Sequence, residues 1–136
     1  ASVSEFLDNS ILVSVRSACN LETDDEAFDR QLIPLINAHL MDAHQFGVGF
    51  NGFTVTGESQ TWRDLLGDSG DKLAALETWL GYRVLLQFDP PDIASVLKAY
   101  QETADKLEWL LCSKSRTEGH VKNYVPEKAS VYEEDD

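Results

Sequence analysis

Two adjacent prolines, Pro90 and Pro91, interrupt a long stretch of helical periodicity, and no other feature constrains this chain as strongly. On both sides of them apolar residues recur at the three- and four-residue spacing of one helix face. A proline disfavours helical backbone at the residue before it, so a helix has to end here. The sequence therefore predicts helices over residues 72–87 and about 92–113, separated by a corner at Phe88-Asp89-Pro90-Pro91. Two helices joined so closely are expected to pair as an antiparallel hairpin.

Local capping residues predict where these helices begin. Asp71 is positioned to cap the first helix, and Asp92 places a negative charge in the first turn of the second, which suits the helix dipole. Ser59 is the predicted cap of a single helical turn over residues 61–66. All three assignments depend only on residues within the same few positions of the chain.

The strongest helical pattern in the first half of the chain runs from Thr23 to about Phe46. Thr23 and Glu26 have the spacing of a capping box, and Gly47 is the predicted stop. Pro34 lies inside the segment and is predicted to bend the helix. A shorter helix is predicted over residues 10–20. The predicted buried face of the long helix consists of Phe28, Leu32, Leu35, Ile36, His39, Leu40 and Ala43.

A glycine-rich segment from Gly47 to Gly57 breaks the helical pattern. Asn51-Gly52 is a turn sequence typical of a β-hairpin, and it lies between two short apolar runs, residues 48–50 and 53–55. The predicted fold is therefore mainly α: a small bundle of about four helices with a protruding β-hairpin-like loop.

After residue 113 the periodicity ends, which divides the chain into a helical domain over residues 1–113 and an extended acidic arm over 114–136. The arm is a frayed terminus or a segment that orders on a partner, and its sequence fits both interpretations. Its few apolar residues, which are the candidate contacts, are Tyr124, Val125, Pro126, Val131 and Tyr132.

The net charge of −13 argues against direct binding to nucleic acid, because neutralisation of phosphates by Lys and Arg supplies most of that affinity. Such acidity serves solubility, mimics DNA, or keeps DNA from adhering to a surface. No segment has the roughly 20 consecutive apolar residues of a membrane span, so we expect a protein made and used in a cytoplasm. Cys19 and Cys112 lie far apart in helical contexts and are predicted to be buried thiols.

No catalytic, metal or cofactor site is predicted. The letters of residues 47–52 match a dinucleotide fingerprint, but the required order of strand and then helix is reversed. His39 and His44 are five residues apart and so point to different faces of a helix. Residues 68–71 lack the alternating oxygen ligands of a calcium loop. The three tryptophans are expected to be core or interface anchors.

As a whole, the sequence resembles the head-to-tail connector family of long-tailed bacteriophages, also called adaptor or head-completion proteins. The resemblance covers residues 11 to 112 and depends on the order and spacing of individually weak elements. These are Ile11-Leu12-Val13-Ser14-Val15, Phe28-Asp29 through Leu35-Ile36-Asn37, Phe46-Gly47-Val48-Gly49, Phe53-Thr54-Val55-Thr56-Gly57, Thr61-Trp62, Tyr82-Arg83-Val84-Leu85-Leu86, Phe88-Asp89-Pro90-Pro91 and Leu107-Glu108-Trp109-Leu110-Leu111.

The resemblance implies a structural, non-enzymatic virion protein in the neck between capsid and tail, assembled in the bacterial host cytoplasm. It implies a homo-oligomeric ring, commonly of twelve subunits, with the portal protein above and a tail-side stopper or tail-terminator protein below. Genome DNA would pass through the lumen without specific binding. Apolar residues outside the main helix faces or in the glycine-rich loop are the candidate contacts between subunits or rings: Phe50, Phe53, Trp79, Leu86 and Leu110. The arm would contact the portal.

Two other interpretations compete with this one. An acidic DNA mimic would inhibit a host DNA-processing enzyme, although basic residues such as Lys98 and Lys106 are interspersed among the acids here. A small enzyme with a buried pair of acids would show shifted titrations in a pocket.

Overall fold

The computed structural model describes residues 3–115, and within them the chain is mainly helical. The six helices found there are α1 (Val3–Leu7), α2 (Ile11–Ala18), α3 (Asp29–Gln45), α4 (Trp62–Leu66), α5 (Leu73–Phe88) and α6 (Ala94–Ser115). The predicted helical bundle is confirmed. α5 is its centre, because α2, α3 and α6 all pack against it.

α5 and α6 form the predicted antiparallel hairpin around the proline corner. The Trp79 indole on α5 donates to Glu108 on α6 over 3.3 Å, and one turn later on α5 Arg83 donates to Asp105 over 2.9 Å. The contacts therefore move towards the start of α6 as they approach the end of α5. Consequently the end of α6 lies beside the start of α5, at the end of the bundle away from the corner.

α2 packs closely along α5 because a glycine lies at their contact. A Cβ atom added at Gly81 would be 2.8 Å from the Cβ of Ala18, closer than van der Waals contact allows. Ile11, Leu12 and Val15 on α2 are buried at helical spacing, as the sequence predicts. Helix α1, for which the sequence shows no clear pattern, buries Leu7 in the same core.

α3 begins at Asp29, so the predicted start at Thr23 is wrong. Thr23 and Glu26 do not form the predicted capping box; residues 22–28 form turns instead, and the Thr23 carbonyl accepts a hydrogen bond from Arg16 over 2.7 Å. The helix continues through Pro34 to Gln45.

The predicted hairpin over residues 47–57 is also wrong, since the described part of the chain contains no β-strand there. Asn51-Gly52 does make a turn, with Gly52 at φ +92°. However, the backbone beyond it pairs with side chains. Asn37 on α3 accepts from the Val55 amide over 2.8 Å and donates to its carbonyl over 3.0 Å. Gln60 accepts from the amides that follow. With these groups satisfied, no second strand is needed.

Three predicted helix starts also change. Thr61, not Ser59, caps α4, and a reciprocal hydrogen bond with Asp64 completes a capping box. Residue 72 precedes α5 without a side-chain cap, so Asp71 does not cap this helix. α6 begins at Ala94, which leaves Asp92 before the helix.

Candidate functional site

An exposed apolar surface with a cavity beside it lies between the last turns of α3 and the glycine-rich loop. We call Met41, Phe50 and Phe53 the Met41–Phe50 surface. Met41 is 69% exposed and Phe50 is 52% exposed, and the Phe50 and Phe53 rings meet edge to face at 5.5 Å. The cavity beside them has a volume of about 170 Å³. Its other lining residues are Leu40, His44, Gln45, Val48, Asn51, Gly52 and Leu65. Exposed aromatic and methionine side chains of this kind are typical of protein interfaces.

The loop that carries Phe50 is attached to the body on both sides. Before Phe50, Gly49 has φ +80° and lies so close to Leu65 that an added Cβ would be 2.7 Å from its Cδ1. After Phe50, the Asn37 side chain holds Val55. The surface is therefore built on packed elements, and its exposure does not come from an unattached loop.

A second apolar surface lies at the proline corner. The Phe88 ring packs edge to face on Phe28 at 5.4 Å, and Ile93 is 63% exposed. Ile93 directly precedes α6, which begins at Ala94, and its side chain lies outside the packed face. Asp89 closes α5 with a 2.8 Å bond from its amide to the Leu85 carbonyl. The remaining corner residues, Pro90 and Pro91, are exposed and half-buried respectively.

The other predicted contact residues differ in their exposure. Leu86 and Leu110 are partly exposed, as an inter-subunit contact requires. Trp79 is only 1% exposed, because Phe46 and His39 pack edge-on against its indole at 5.6 Å and 5.9 Å. Its position outside the main face of α5 reflects coverage by α3. Trp79 is therefore a core residue of the single chain, and we withdraw it as a candidate contact.

Charged side chains missed by the sequence analysis hold the bundle together from inside. Arg16 is completely buried; its Nη2 and Nε donate to Asp29 over 2.7 Å and 3.1 Å, and its Nη1 donates to Glu58 over 2.6 Å. These hydrogen bonds, first of all those to Asp29, raise the pKa of Arg16 despite its burial. Only the tertiary structure reveals this, since the three residues are 13 and 42 positions apart.

Arg83 has a similar role between α5 and α6. It contacts Asp105 over 2.9 Å and Glu108 over 2.8 Å, and the Trp79 indole also donates to Glu108 over 3.3 Å. Burial by itself lowers the pKa of Arg83, but the hydrogen bonds to the two carboxylates outweigh burial and raise it. His39 lies beside this group, with Nε2 at 2.7 Å from the Gln87 side-chain oxygen.

The two cysteines are buried thiols, as predicted. Burial raises the pKa of Cys19 to about 11, with a further contribution from the negative charge of Asp89. Within residues 3–115 no group of three potential ligands is placed to hold a metal ion. No helix among those described is long and apolar enough to cross a membrane.

Comparison with known proteins identifies the family. The model of the phage connector protein family matches residues 11–118, from the start of α2 to beyond the end of α6. The chain belongs to the phage connector protein family. No curated protein and no solved structure gives a significant match. The recognised resemblance to head-to-tail connectors is thus confirmed.

Membership of a connector family indicates a structural role in the head-to-tail connection, in the neck of the virion, and implies contacts with portal and tail proteins. For a connector subunit the relevant features are exposed apolar surfaces, and sequence analysis found Phe50 and Phe53 but missed Met41. Met41 lies outside the buried face formed by Leu32, Ile36, Leu40 and Ala43, so a search for off-face apolar residues on α3 would have found it. The predicted contacts in the arm, residues 124–126 and 131–132, lie outside the described residues.

Proposed function

We propose that this connector subunit forms a homo-oligomeric ring of twelve copies between the portal above and a stopper or tail-terminator protein below. The observation that carries the proposal is the family match over residues 11–118, which include α2 to α6. The ring extends the DNA channel and offers a platform for tail attachment. The particle is assembled in the bacterial host cytoplasm and carries the ring in its neck.

Two apolar surfaces at different places on one subunit support a closed ring. In a ring each subunit contacts its neighbours through two different faces. Phe28 and Met41 lie near opposite ends of α3, separated by about 20 Å along the helix axis at 1.5 Å per residue. The Met41–Phe50 surface and the corner surface are therefore distinct, and each exposes a large apolar side chain. Leu86 and Leu110 add partly exposed apolar area on the hairpin.

Acidity suits a channel through which DNA has to slide. With a net charge of −13 per chain, a ring that lines its lumen with carboxylates repels phosphates and does not retain the genome. This net charge already includes the eleven basic residues, of which Arg16, Arg63 and Arg83 are each bonded to two carboxylates. The same pairing weakens the alternative of a DNA mimic, since a mimic needs its carboxylates unpaired along a phosphate-like path.

Reconstitution on phage heads tests the proposal. Purified protein is mixed with DNA-filled, portal-bearing heads of the source phage, and the particles are imaged by electron microscopy. A twelve-fold ring of added density below the portal is the expected result, with the acidic side chains on its inner wall. Absence of density together with inhibition of a DNA enzyme would replace this proposal by the DNA mimic. A ring whose carboxylates face outwards would refute the channel-lining role alone.

Matched variants connect the ring to the surfaces. Phe50→Ser removes a side chain that is 52% exposed, so the monomer should stay folded while ring density is lost. Lys98→Ala removes a side chain that is 68% exposed on α6 and has only a distant ion pair with Glu102, at 3.9 Å. This control should form rings normally. Equal ring formation by both variants would exclude Phe50 from the subunit contact.

A further inference from the structure

The Met41–Phe50 surface has an unusual combination of rigidity and exposure for a single chain. Its cavity is bounded by the last turns of α3, by the loop and by Leu65 of α4. The side chains that make its rim are apolar, and the polar groups along it are His44, Gln45 and Asn51, none of which is a carboxylate. A surface of this kind binds an apolar segment, and the net charge of −13 of the chain favours one that is locally positive.

The same end of the bundle is where the C-terminal arm begins. Because α5 and α6 are antiparallel, the end of α6 at Ser115 lies beside the start of α5. Lys72, which directly precedes α5, lines a cavity together with Gly47, Val48 and Leu65, next to the Met41–Phe50 surface. The arm therefore starts at the end of the bundle that exposes Met41 and Phe50.

The chemistry of the arm matches the surface at one place. Tyr124-Val125-Pro126 is an apolar run, and Lys122 and Lys128 flank it with only Glu127 to oppose them, so this stretch is locally positive in a chain of −13. Proline-containing segments are recognised by grooves lined with aromatic side chains, as Phe50 and Phe53 provide here. The second apolar pair, Val131-Tyr132, is followed directly by four acids and lacks this local positive charge.

The chain between the end of α6 and Tyr124 is long enough to span the end of the bundle. Tyr124 is nine positions after Ser115, and an extended chain of nine residue steps spans up to about 30 Å. A segment tethered so closely has an effective concentration in the millimolar range, so even a weak contact is populated within one chain.

We propose that Tyr124-Val125-Pro126 docks on the Met41–Phe50 surface of its own chain in the free subunit. The arm then covers the apolar residues that a neighbouring subunit needs. If the ring proposed above forms, transfer of the arm to the portal uncovers Met41 and Phe50, and ring formation is limited to the site where a portal is present. This consequence rests on the proposed function, whereas the docking itself is a property of the free chain.

The full chain contains a single methionine, which makes Met41 a specific probe. With ¹³C-methyl-labelled methionine the chain of residues 1–136 gives one methionine methyl resonance, which comes from the Met41–Phe50 surface. The expected result is a nuclear Overhauser effect between this methyl group and the ring of Tyr124. Tyr124→Ser should move the Met41 resonance, whereas the matched control Tyr132→Ser should leave it in place. Both substitutions lie outside the described residues.

Three results would overturn the proposal. They are an unchanged Met41 resonance in Tyr124→Ser, an equal change in Tyr132→Ser, and a contact that disappears on dilution, which would assign the surface to the arm of a second molecule. A resonance that responds to Tyr124→Ser and stays constant on dilution supports docking within the chain. Because this experiment uses no phage heads, its outcome is independent of whether a ring forms on the portal.

Discussion

Replacing Arg16 by methionine should destabilise the fold more than any other single change of a charged residue. The Arg16 side chain is completely buried and joins three separate segments: Thr23 in the turn before α3, Asp29 at the start of α3, and Glu58 in the loop before α4. Methionine has a similar apolar stem, so packing is largely retained while all four hydrogen bonds are lost. The substitution therefore isolates the contribution of the guanidinium.

The expected loss in the free energy of unfolding depends on the carboxylates that lose their partner. Removing one partner of a fully buried ion pair costs about 3–5 kcal/mol, because the other charge remains in the interior. Here the side chains of Asp29 and Glu58 are 23% and 48% exposed, so both regain some water. That recovery places the expected loss at the low end of the range, about 3 kcal/mol including the unpaired Thr23 carbonyl.

Equilibrium unfolding in urea, followed by tryptophan fluorescence, measures this loss. For a domain of this size the free energy of unfolding falls by about 2 kcal/mol per molar urea, so a loss of about 3 kcal/mol lowers the midpoint by about 1.5 M. Asp29→Asn should produce much of the same effect. Glu58→Gln is the matched control, because a pair with a half-exposed carboxylate contributes about 1 kcal/mol or less.

A midpoint in Arg16→Met within about 0.25 M of the parent, equivalent to about 0.5 kcal/mol, would refute this reasoning. The guanidinium would then be no more than a space-filling group. A double-mutant cycle with Asp29→Asn provides a second criterion, since additive effects of the two substitutions would show that they do not interact.

Gly81→Ala should destabilise the fold and lower the thermal midpoint. Crowding of the added Cβ against Ala18 costs about 1–3 kcal/mol, which exceeds the gain of about 1 kcal/mol in helix propensity. The control Gly57→Ala, whose added Cβ meets open space, should melt at the same temperature as the parent. Thr61→Ala should lose about 1 kcal/mol through loss of the α4 cap, measured as a lower urea midpoint, and an equal loss in Ser59→Ala would contradict the assignment of the cap. Burial raises the pKa of Glu77 above its ordinary value of 4.5, so the folded state binds this proton more tightly than the unfolded state. Ionisation of Glu77 therefore lowers stability above the raised pKa, and Glu77→Gln should be more stable than the parent at pH 7, with the difference disappearing below pH 4.5. A difference in unfolding midpoint that grows towards acid pH would show the opposite sign.

Sequence analysis predicted the long helices well because their evidence is local and repeated. The faces of α3 and α5 are set by residues three and four positions apart, and the two prolines end α5 whatever packs around it. Helix starts were predicted less well. Thr23 and Ser59 both have suitable side chains for caps, but α3 begins only at Asp29, and α4 is capped by the box formed by Thr61 and Asp64.

The candidate site was predicted only in part. Phe50 and Phe53 stand out in the sequence because a glycine-rich loop rarely needs two aromatic residues for its own packing. Trp79 was a candidate contact because it is an apolar residue outside the main face of its helix, but α3 buries it. Met41 on α3 was overlooked although it is 69% exposed. Exposure depends on which helices cover which faces, and a single helical period does not contain that information.

The sequence by itself determined the helical class, the corner at Pro90-Pro91 and the acidic charge of this connector subunit, because these depend on local periodicity, on the missing proline amide and on composition. The tertiary structure alone decided how the polar groups are paired. The loop around Asn51-Gly52 is not a hairpin because Asn37, 18 residues before Val55, satisfies its backbone, and Arg16 is buried because Glu58, 42 residues away, meets it. Hydrogen-bonding groups take whichever partner the packed chain brings within about 3 Å, and that partner is set by the packing of distant segments.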